Sequence, residues 1–155
     1  MSTIKSNGTK IYAIVNGAVV PFTCYNAIDL GQDSFGKIDI SCLDEESKRY
    51  RRGSTDPGEG SLTIQLDDES DSHAELMQLV DSGETVPWYI GSNESTDLPT
   101  IEPVTSAVTL PTTRNWVTFE GYLNNASPTI EQDGVWTYAY PLVRSVGTTT
   151  ILRTT

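Results

Sequence analysis

Alternation of apolar and polar residues over short segments is the feature that most limits the folds open to this chain. Residues 35–43, 61–67 and 86–90 each place apolar side chains at every second position. Successive side chains of a strand point to opposite faces, so this period indicates half-buried β-strands. Two aromatic-rich segments, 116–123 and 135–143, have a composition that suits a pleated sheet. We therefore expect a mainly β protein of one domain.

A strong hairpin signal lies near the start of the chain. Asn16 and Gly17 separate two apolar runs, 10–14 and 18–22. Both residue types tolerate the positive φ that a tight hairpin turn requires. The pattern predicts that the second run folds back on the first as an antiparallel partner. Residues 1–8, which precede the first run, are expected to form an N-terminal arm.

One segment, 73–81, has the signature of a helix. Ser72 with Glu75 three residues later is typical of a capping box, and Gly83 is typical of a left-handed helix end. His73 is expected to be an exposed residue of the first turn. Apolar residues follow at helical spacing and form one stripe: Ala74, Leu76, Met77, Leu79 and Val80.

Three other segments have weak apolar patterns. Residues 44–60 form a long connection, and connections of that length are usually functional or disordered. A solvated loop without a function is the alternative. Residues 91–115 are expected to be an extended insertion with a short strand at 107–110, and 147–155 a polar C-terminal arm. The long connection carries acidic residues first and basic residues second: Asp44, Glu45 and Glu46, then Lys48, Arg49, Arg51 and Arg52.

The net charge of −11 argues against two classes of binding protein, although it could equally serve only solubility. Nucleic-acid phosphates and anionic lipid surfaces attract basic patches, which an acidic chain of this kind does not provide. The sequence has neither a secretory signal nor a run of roughly 20 apolar residues, so we expect a protein made and folded in the cytoplasm. Cys24 and Cys42 are then expected to be reduced and buried in strands, without a disulfide.

Residues suited to catalysis or metal binding are few. His73 is the single histidine, and no serine or cysteine has the sequence context of a nucleophile. Zinc sites need several Cys or His ligands at short spacing, which the chain lacks. The acidic run 67–71 lacks the central glycine and terminal glutamate of a calcium loop. We therefore expect no catalytic residue, no cofactor and no metal, in a protein that is not an enzyme.

The succession of elements between residues 39 and 90 has a recognisable order. An acidic corner at 42–46 precedes a charged connection, the alternating segment, the helix and the strand at 86–90. A second signal lies late in the chain, where an aromatic residue is followed two positions later by a glycine within a predicted strand: Phe119-Glu120-Gly121-Tyr122-Leu123. This pattern resembles the major tail tube proteins of lambda-type siphophages over about two thirds of the chain. The insertion at 91–115 departs from the compact form of that family.

The resemblance implies a β-sandwich or barrel with one flanking helix. It implies subunits that form six-membered rings, which stack into a tube around a lumen for DNA ejection. Residues 44–60 would be the ring-stacking loop, and the helix would pack outside the barrel. The implied partners are other copies of the chain, a tape-measure protein, and tail-tip and terminator proteins. The implied location is the tail of the virion, after assembly in the cytoplasm of the host bacterium, with no membrane partner.

A tube that conducts DNA should have an acidic lumen, because cations on its wall would bind the phosphates and trap the DNA. DNA would then pass without specific binding. Lys37 shares the predicted face of Asp39 and would oppose this trend. The polar faces of the predicted strands supply the candidate lumen residues: Asp39, Ser41, Thr63, Gln65, Thr118 and Glu120.

Two other functions are compatible with the sequence. One is the tube subunit of a contractile tail or of a type VI secretion system, since these share the implied fold. The other is a β-sandwich carbohydrate-binding module, in which Trp88, Trp116 or Trp136 would form a stacking platform for sugars. For each tryptophan, the alternative is a place in the core or at a subunit interface.

Overall fold

The computed structural model describes residues 3–22, 25–69, 71–105 and 107–154. Twelve strands and one helix make up its regular structure. The strands are β1 (Lys10–Val15), β2 (Ala18–Phe22), β3 (Tyr25–Asp29), β4 (Ser34–Asp39), β5 (Tyr50–Asp56), β6 (Glu59–Gln65), β7 (Val86–Gly91), β8 (Thr100–Ile101), β9 (Val108–Thr109), β10 (Trp116–Leu123), β11 (Thr137–Arg144) and β12 (Thr149–Ile151), and the helix is α1 (Asp71–Ser82).

An antiparallel sheet of eight strands forms the body of the molecule. Seven strands follow the order β2-β1-β7-β10-β11-β6-β3. The eighth, β12, pairs with the first half of β10, on the same side where β11 pairs with its end. The predicted mainly β fold with one flanking helix is confirmed. The sheet stays open instead of closing into a barrel, because its end strands β2 and β3 do not pair with each other in the described part of the chain.

The first hairpin has the predicted geometry. Strands β1 and β2 pair antiparallel from Ile11 and Phe22 to Val15 and Ala18. Asn16 and Gly17 form the turn with φ of 51° and 77°. Two consecutive positive φ values match the right-handed twist of the flanking strands, which explains why these two residue types occupy the turn.

The two faces of the sheet differ in burial. The face under α1, here called the core face, is apolar, and Leu76, Leu79 and Val80 of the helix complete its packing. The Trp88 ring stacks on Phe119 at a centroid distance of 6.1 Å. The cross-strand register places the main buried residues of the sheet on this face: Ile11, Ala13, Val20, Phe22, Leu62, Ile64, Trp88, Phe119, Leu123, Tyr140 and Leu142. We call the opposite side of the sheet the open face.

Helix α1 confirms the helix predicted at 73–81, but its first residue and the burial of His73 differ from the prediction. It ends as expected, where the Gly83 N–H donates to the Leu79 carbonyl at 3.1 Å and Gly83 has a φ of 67°. The helix begins at Asp71, so Ser72 lies inside it instead of preceding it. The prediction that His73 is exposed is wrong. Its ring is buried, and its Nδ1 accepts a hydrogen bond from the Asp67 backbone N–H at 3.0 Å, which fixes the entry to the helix.

The strand predicted at 35–43 is present as β4, over Ser34–Asp39, but the prediction that it is half-buried is wrong. Strand β4 forms a separate two-stranded sheet with β5, and all six of its residues are exposed. Because no core lies beneath it, the alternation of Ile38 and Ile40 does not reflect burial. Cys42 follows the strand and is exposed, which contradicts its predicted burial in a strand. Cys24 lies outside the described residues.

Three predicted connections contain more regular structure than expected. Within 44–60, residues of β5 form a strand that pairs with β4. In 91–115, the short strand predicted at 107–110 is confirmed as β9, which pairs with β8. In 147–155, strand β12 joins the main sheet by pairing with β10, so this segment is not a purely irregular arm.

Candidate assembly surfaces

A hairpin stands apart from the body of the molecule. We define the arm as residues 34–56, which comprise β4, β5 and the turn between them. Its two strands pair from Ser34 and Asp56 to Asp39 and Tyr50, and neither is part of the main sheet. An isolated two-stranded hairpin is marginally stable in water, so further contacts are needed to hold such a structure firmly.

The arm exposes large apolar side chains. Ile38 and Tyr50 are about half exposed, and Leu43 in the turn is fully exposed. Cations lie over both aromatic rings of the arm. The Lys37 ammonium is 4.5 Å from the Tyr50 ring centroid, and the Arg52 guanidinium is 3.4 Å from the Phe35 ring centroid. Such contacts order the strands but leave the apolar edge of the arm uncovered.

The arm also concentrates the positive charge of the protein. It contains five of the ten Lys and Arg residues and five of the 21 Asp and Glu residues. The arm is therefore neutral, and the net charge of −11 resides in the rest of the chain. All seven charged residues predicted for the ring-stacking loop are exposed and lie in the arm: Asp44, Glu45, Glu46, Lys48, Arg49, Arg51 and Arg52. Glu45 and Arg49 form an ion pair at 3.2 Å across the turn.

A buried arginine at the end of β11 holds the root of the arm. The Arg144 Nε donates to the Leu30 carbonyl at 2.7 Å, and its Nη1 forms an ion pair with Asp33 just before β4. On the other side of the root, Gly58 leaves room for the guanidinium, because a Cβ there would lie 2.9 Å from Nη2. Arg144 therefore contacts the chain where it enters the arm and where it leaves it.

The six predicted lumen residues fall into two groups. Thr63, Gln65, Thr118 and Glu120 lie on the open face of the main sheet, since their cross-strand neighbours all point away from α1. The other two predicted residues, Asp39 and Ser41, lie in the arm. There the Asp39 Oδ1 accepts a hydrogen bond from the Ser41 N–H at 2.9 Å, which lowers the pKa of the Asp39 carboxyl.

The open face is polar and mainly acidic. Its charged strand positions are Lys10, Asp29, Glu59 and Glu120, so carboxylates outnumber ammonium groups by three to one. Partial burial raises the pKa of the Tyr89 hydroxyl on this face, and the nearby negative charge of Glu120 raises it further. The face therefore combines negative charge with threonine and glutamine side chains.

One corner of the open face is covered by the segment between β7 and β10. Tyr12 and Trp116 are buried there beneath Arg114, whose guanidinium lies 5.0 Å from the Trp116 ring centroid. The Arg114 Nε donates to the Ser92 carbonyl at 2.8 Å and its Nη1 to the Asp97 carbonyl at 3.0 Å. These bonds tie the insertion to the sheet.

Other kinds of site find little support. Of the three tryptophans predicted as a possible sugar platform, Trp88 and Trp116 are buried, which excludes both, and Trp136 is half exposed. Among the described residues, no group of three or more His, Cys, Asp and Glu side chains is arranged to hold a metal ion. Within the same part of the chain, no helix has the length and apolar character needed to cross a membrane.

Comparison with known proteins decides among the remaining functions. The family described as phage tail tube, TTP, lambda-like matches residues 2–154. The chain belongs to this family. It is a structural subunit of a phage tail tube. A curated relative, Structural protein 3 of Pseudomonas phage PAJU2, is 28% identical over 141 residues, which cover 88% of this chain and 86% of the relative.

Solved structures of tail-like assemblies share the fold. A chain of the six-fold symmetrised anti-feeding prophage baseplate aligns with a TM-score of 0.66 at 10% identity, over 98% of both chains. A chain of the SPP1 tail tube aligns with a TM-score of 0.58 at 12% identity, over 96% of this chain and 78% of that chain. At such low identities the fold is shared while most of the side chains differ.

Sequence reasoning missed the residues that join the arm to the body. Arg144 directly follows the aromatic-rich segment 135–143, whose composition predicted only a strand. One signal was available: an arginine at an apolar position of the alternating β11 pattern is unusual, because arginine is rarely buried without a partner.

Proposed function

We propose that this tail tube subunit forms six-membered rings that stack into a tube, with the arm as the contact between rings. The observation that carries the proposal is the arm itself, which extends from the sheet and exposes apolar side chains together with half of the Lys and Arg residues of an acidic protein. A free hairpin of this kind needs a binding surface outside its own domain.

Ring closure is supported by the open sheet. Strands β2 and β3 are the two end strands of the sheet, and each has one edge without a partner strand among the described residues. Unpaired edges promote uncontrolled pairing between chains unless they are covered or used for assembly. Pairing of these edges between neighbouring subunits would close a ring, and a head-to-tail contact that closes gives cyclic symmetry. The six-fold symmetry of the related baseplate structure supports a ring of six.

The open face is the surface we assign to the lumen. The core face is covered by α1, so the open face is the side of the sheet that remains available. Thr63, Gln65, Thr118 and Glu120 lie on it, and its excess of carboxylates would repel the phosphates of DNA. Asp39 and Ser41 belong to the arm instead, so we assign them to the contact between rings.

The remaining partners follow from the tube. We infer that a tape-measure protein occupies the lumen before DNA, that tail-tip and terminator proteins cap its two ends, and that assembly takes place in the host cytoplasm. The subunit acts by assembly and not by catalysis. The match to the lambda-like family favours a tube without a contractile sheath.

Negative-stain electron microscopy of the purified protein at increasing concentration tests the proposal. We expect rings and then tubes, with six-fold symmetry in end views. A protein that stays monomeric at high concentration, with no tubes in the images, would contradict it.

Charge reversal in the arm tests the contact between rings. Changing Arg51 and Arg52 to Glu should abolish tubes and leave rings, with the strongest effect at low salt because exposed charges are screened at high salt. Reversal of Lys5 and Arg153, which lie outside the arm, is the matched control. Normal tubes from the arm variant would show that the arm is only a solvated surface.

The lumen assignment has its own test. Changing Thr63 and Gln65 to Lys would add cations to the open face, and tubes of this variant should retain DNA that passes through wild-type tubes without binding. Retention can be measured by co-sedimentation of short DNA with the tubes. If the variant binds no more DNA than wild type, the open face does not line the lumen.

A further inference from the structure

We propose that the arm of one subunit binds a patch around Trp136 on a subunit of the adjacent ring. This inference rests on the proposed function and names the surface that receives the arm. The Trp136 patch is defined by four apolar residues, Leu66, Ile130, Val135 and Trp136. Two backbone contacts bring them together: the Leu66 N–H donates to the Trp136 carbonyl at 2.9 Å, and Thr129 pairs with Thr137.

The Trp136 patch is unusually exposed for such large apolar side chains. Trp136 is 50% exposed, Val135 56% and Ile130 58%, whereas Trp88 and Trp116 are each 1% exposed. Leu66, Asp68, Val135 and Trp136 line an open cavity of about 460 Å³. An exposed cluster of large apolar residues with a polar surround is typical of a protein interaction site.

The rim of the patch is strongly acidic. The sequence segments around it, 66–71 and 129–136, contain no Lys or Arg, and no Lys or Arg occurs anywhere between residues 53 and 113. The carboxylates of the rim therefore have no cation nearby in the sequence. Six acidic residues belong to these two segments: Asp67, Asp68, Glu69, Asp71, Glu131 and Asp133.

The arm has the complementary properties. Ile38 and Tyr50, each about half exposed, offer apolar surface on the two paired strands of the arm, beside Arg51 and Arg52. Arg51 and Arg52 are exposed on β5, and Lys48 and Arg49 precede them. Complementary charges around an apolar contact fix which partner binds and in which register. A second copy of this chain is therefore the occupant that the charges of the patch favour.

The positions of the two surfaces give the contact a direction. The root of the arm lies beside Arg144 and Glu59, where β11 ends and β6 begins. The patch lies at the other end of the same two strands, beyond Gln65 and Thr137. Seven residues of β6 separate the two ends by about 20 Å, at roughly 3.3 Å per residue.

A contact between opposite ends of a molecule is head-to-tail. Such a contact repeats without closing when the subunits are related by a translation along the axis, and it then builds a filament. Stacked rings need a contact of this type, with a donor surface at one end and a receptor surface at the other. The arm and the Trp136 patch satisfy that requirement within one chain.

Tryptophan fluorescence reports on the patch directly. Since Trp88 and Trp116 are buried, acrylamide quenching of the free protein should come mainly from Trp136. In tubes, quenching should fall towards the level of a Trp136→Phe variant, which retains only the buried pair. Tubes in which Trp136 remains as accessible as in the free protein would overturn the inference.

Cross-linking tests the pairing of the two surfaces. The test uses a Cys24→Ser background, because the chain has two cysteines. In this background Cys42 is an exposed thiol in the arm, and Asp68→Cys places a second thiol in the patch. A short bismaleimide should link these residues between subunits and give covalent ladders from tubes. Two matched controls, Cys42→Ser with Asp68→Cys and Glu102→Cys with native Cys42, should give no ladder. Ladders that persist in the Cys42→Ser control, or no ladder from intact tubes, would overturn the inference.

A charge swap separates this inference from the proposed function. Asp68→Lys with Glu69→Lys should abolish tubes while rings and the circular dichroism spectrum are retained. Combining these changes with Arg51→Glu and Arg52→Glu should restore tubes. If wild type forms tubes and the swap of the patch has no effect, the inference fails and the proposed function stands. If wild type forms no tubes at all, the proposed function itself fails.

Discussion

Arg144 is the residue whose loss should couple stability to assembly most directly. Its side chain is fully buried at the end of β11. It donates to the Leu30 carbonyl at 2.7 Å, to the Val146 carbonyl at 3.4 Å, and to the Asp33 carboxylate, which is 24% exposed. Arg144→Ala removes all of these bonds, and it leaves the carboxylate and the carbonyls without the donor that now satisfies them.

The size of the effect follows from burial. Removing one partner of a buried ion pair costs about 3 to 5 kcal/mol, because the other partner is left uncompensated. Asp33 reaches solvent in part, so the lower end of that range, about 3 kcal/mol, is appropriate. For a chain of this length, about 1 kcal/mol lowers the melting temperature by about 2 to 4 °C, so the expected fall is roughly 10 °C.

Thermal unfolding followed by circular dichroism measures this change, at a protein concentration that keeps the subunit unassembled. Arg153→Ala is the matched control, since Arg153 is exposed and should leave the melting temperature unchanged. Below its melting temperature, the Arg144→Ala variant should also form rings without tubes, because the root of the arm is no longer held. A loss of less than about 1 kcal/mol would refute the reasoning, since ordinary surface changes fall in that range.

Two further predictions concern the sheet. Burial, with smaller effects from Tyr138 and Asp81, raises the pKa of Tyr140 from 10.0 to about 12. The unfolded chain loses this proton first, so the free energy of unfolding should fall as the pH rises from 10 to 12, and urea titrations should show a smaller fall for Tyr140→Phe. A Cβ on Gly60 would overlap the Asp29 carbonyl oxygen, so Gly60→Ala should cost about 1 to 3 kcal/mol in the same titrations, whereas Gly36→Ala, which meets nothing within 4 Å, should be nearly neutral.

The body of the fold could be predicted because its local signals agree with its packing. The alternation of Leu62 and Ile64 corresponds to real burial on the core face, and the turn at Asn16 and Gly17 has the backbone geometry those residues favour. The helix ends at Gly83 for the same local reason. A turn or a helix end that depends on the backbone preference of one or two residues can be predicted from a single sequence.

The arm could not be predicted in the same way, because alternation shows which residues share a face but not what covers that face. Ile38 and Ile40 have the same spacing as core residues, yet they are exposed in the single subunit. A similar limit applies to His73, which is buried through its bond to Asp67, and to Arg144, which is buried through partners more than 100 residues away. The sequence predicts the helix or strand near which each of these residues lies, but it does not predict which residues contact them.

The candidate lumen residues show that alternation predicts the face of a strand but not the sheet to which the strand belongs. All six share the polar side of a predicted strand, and for Thr63, Gln65, Thr118 and Glu120 that side is one continuous face. Asp39, at the end of β4, and Ser41, two residues after it, satisfy the same pattern in the arm. Only the pairing of the strands separates the two groups, and strand pairing depends on contacts that are distant in sequence.

The geometry of the subunit separates two directions of assembly. The unpaired edges of β2 and β3 can pair with strands of other subunits, in the direction across the strands. The arm and the Trp136 patch lie at the two ends of β6 and β11, along the strands. Contacts across the strands would close a ring, and contacts along them would stack one ring on the next. Because the two sets of contacts share no residue, changes in the arm should stop stacking without opening rings. The acidic body repels other copies at long range, so the neutral arm is the surface on which a second ring can approach with the least electrostatic cost.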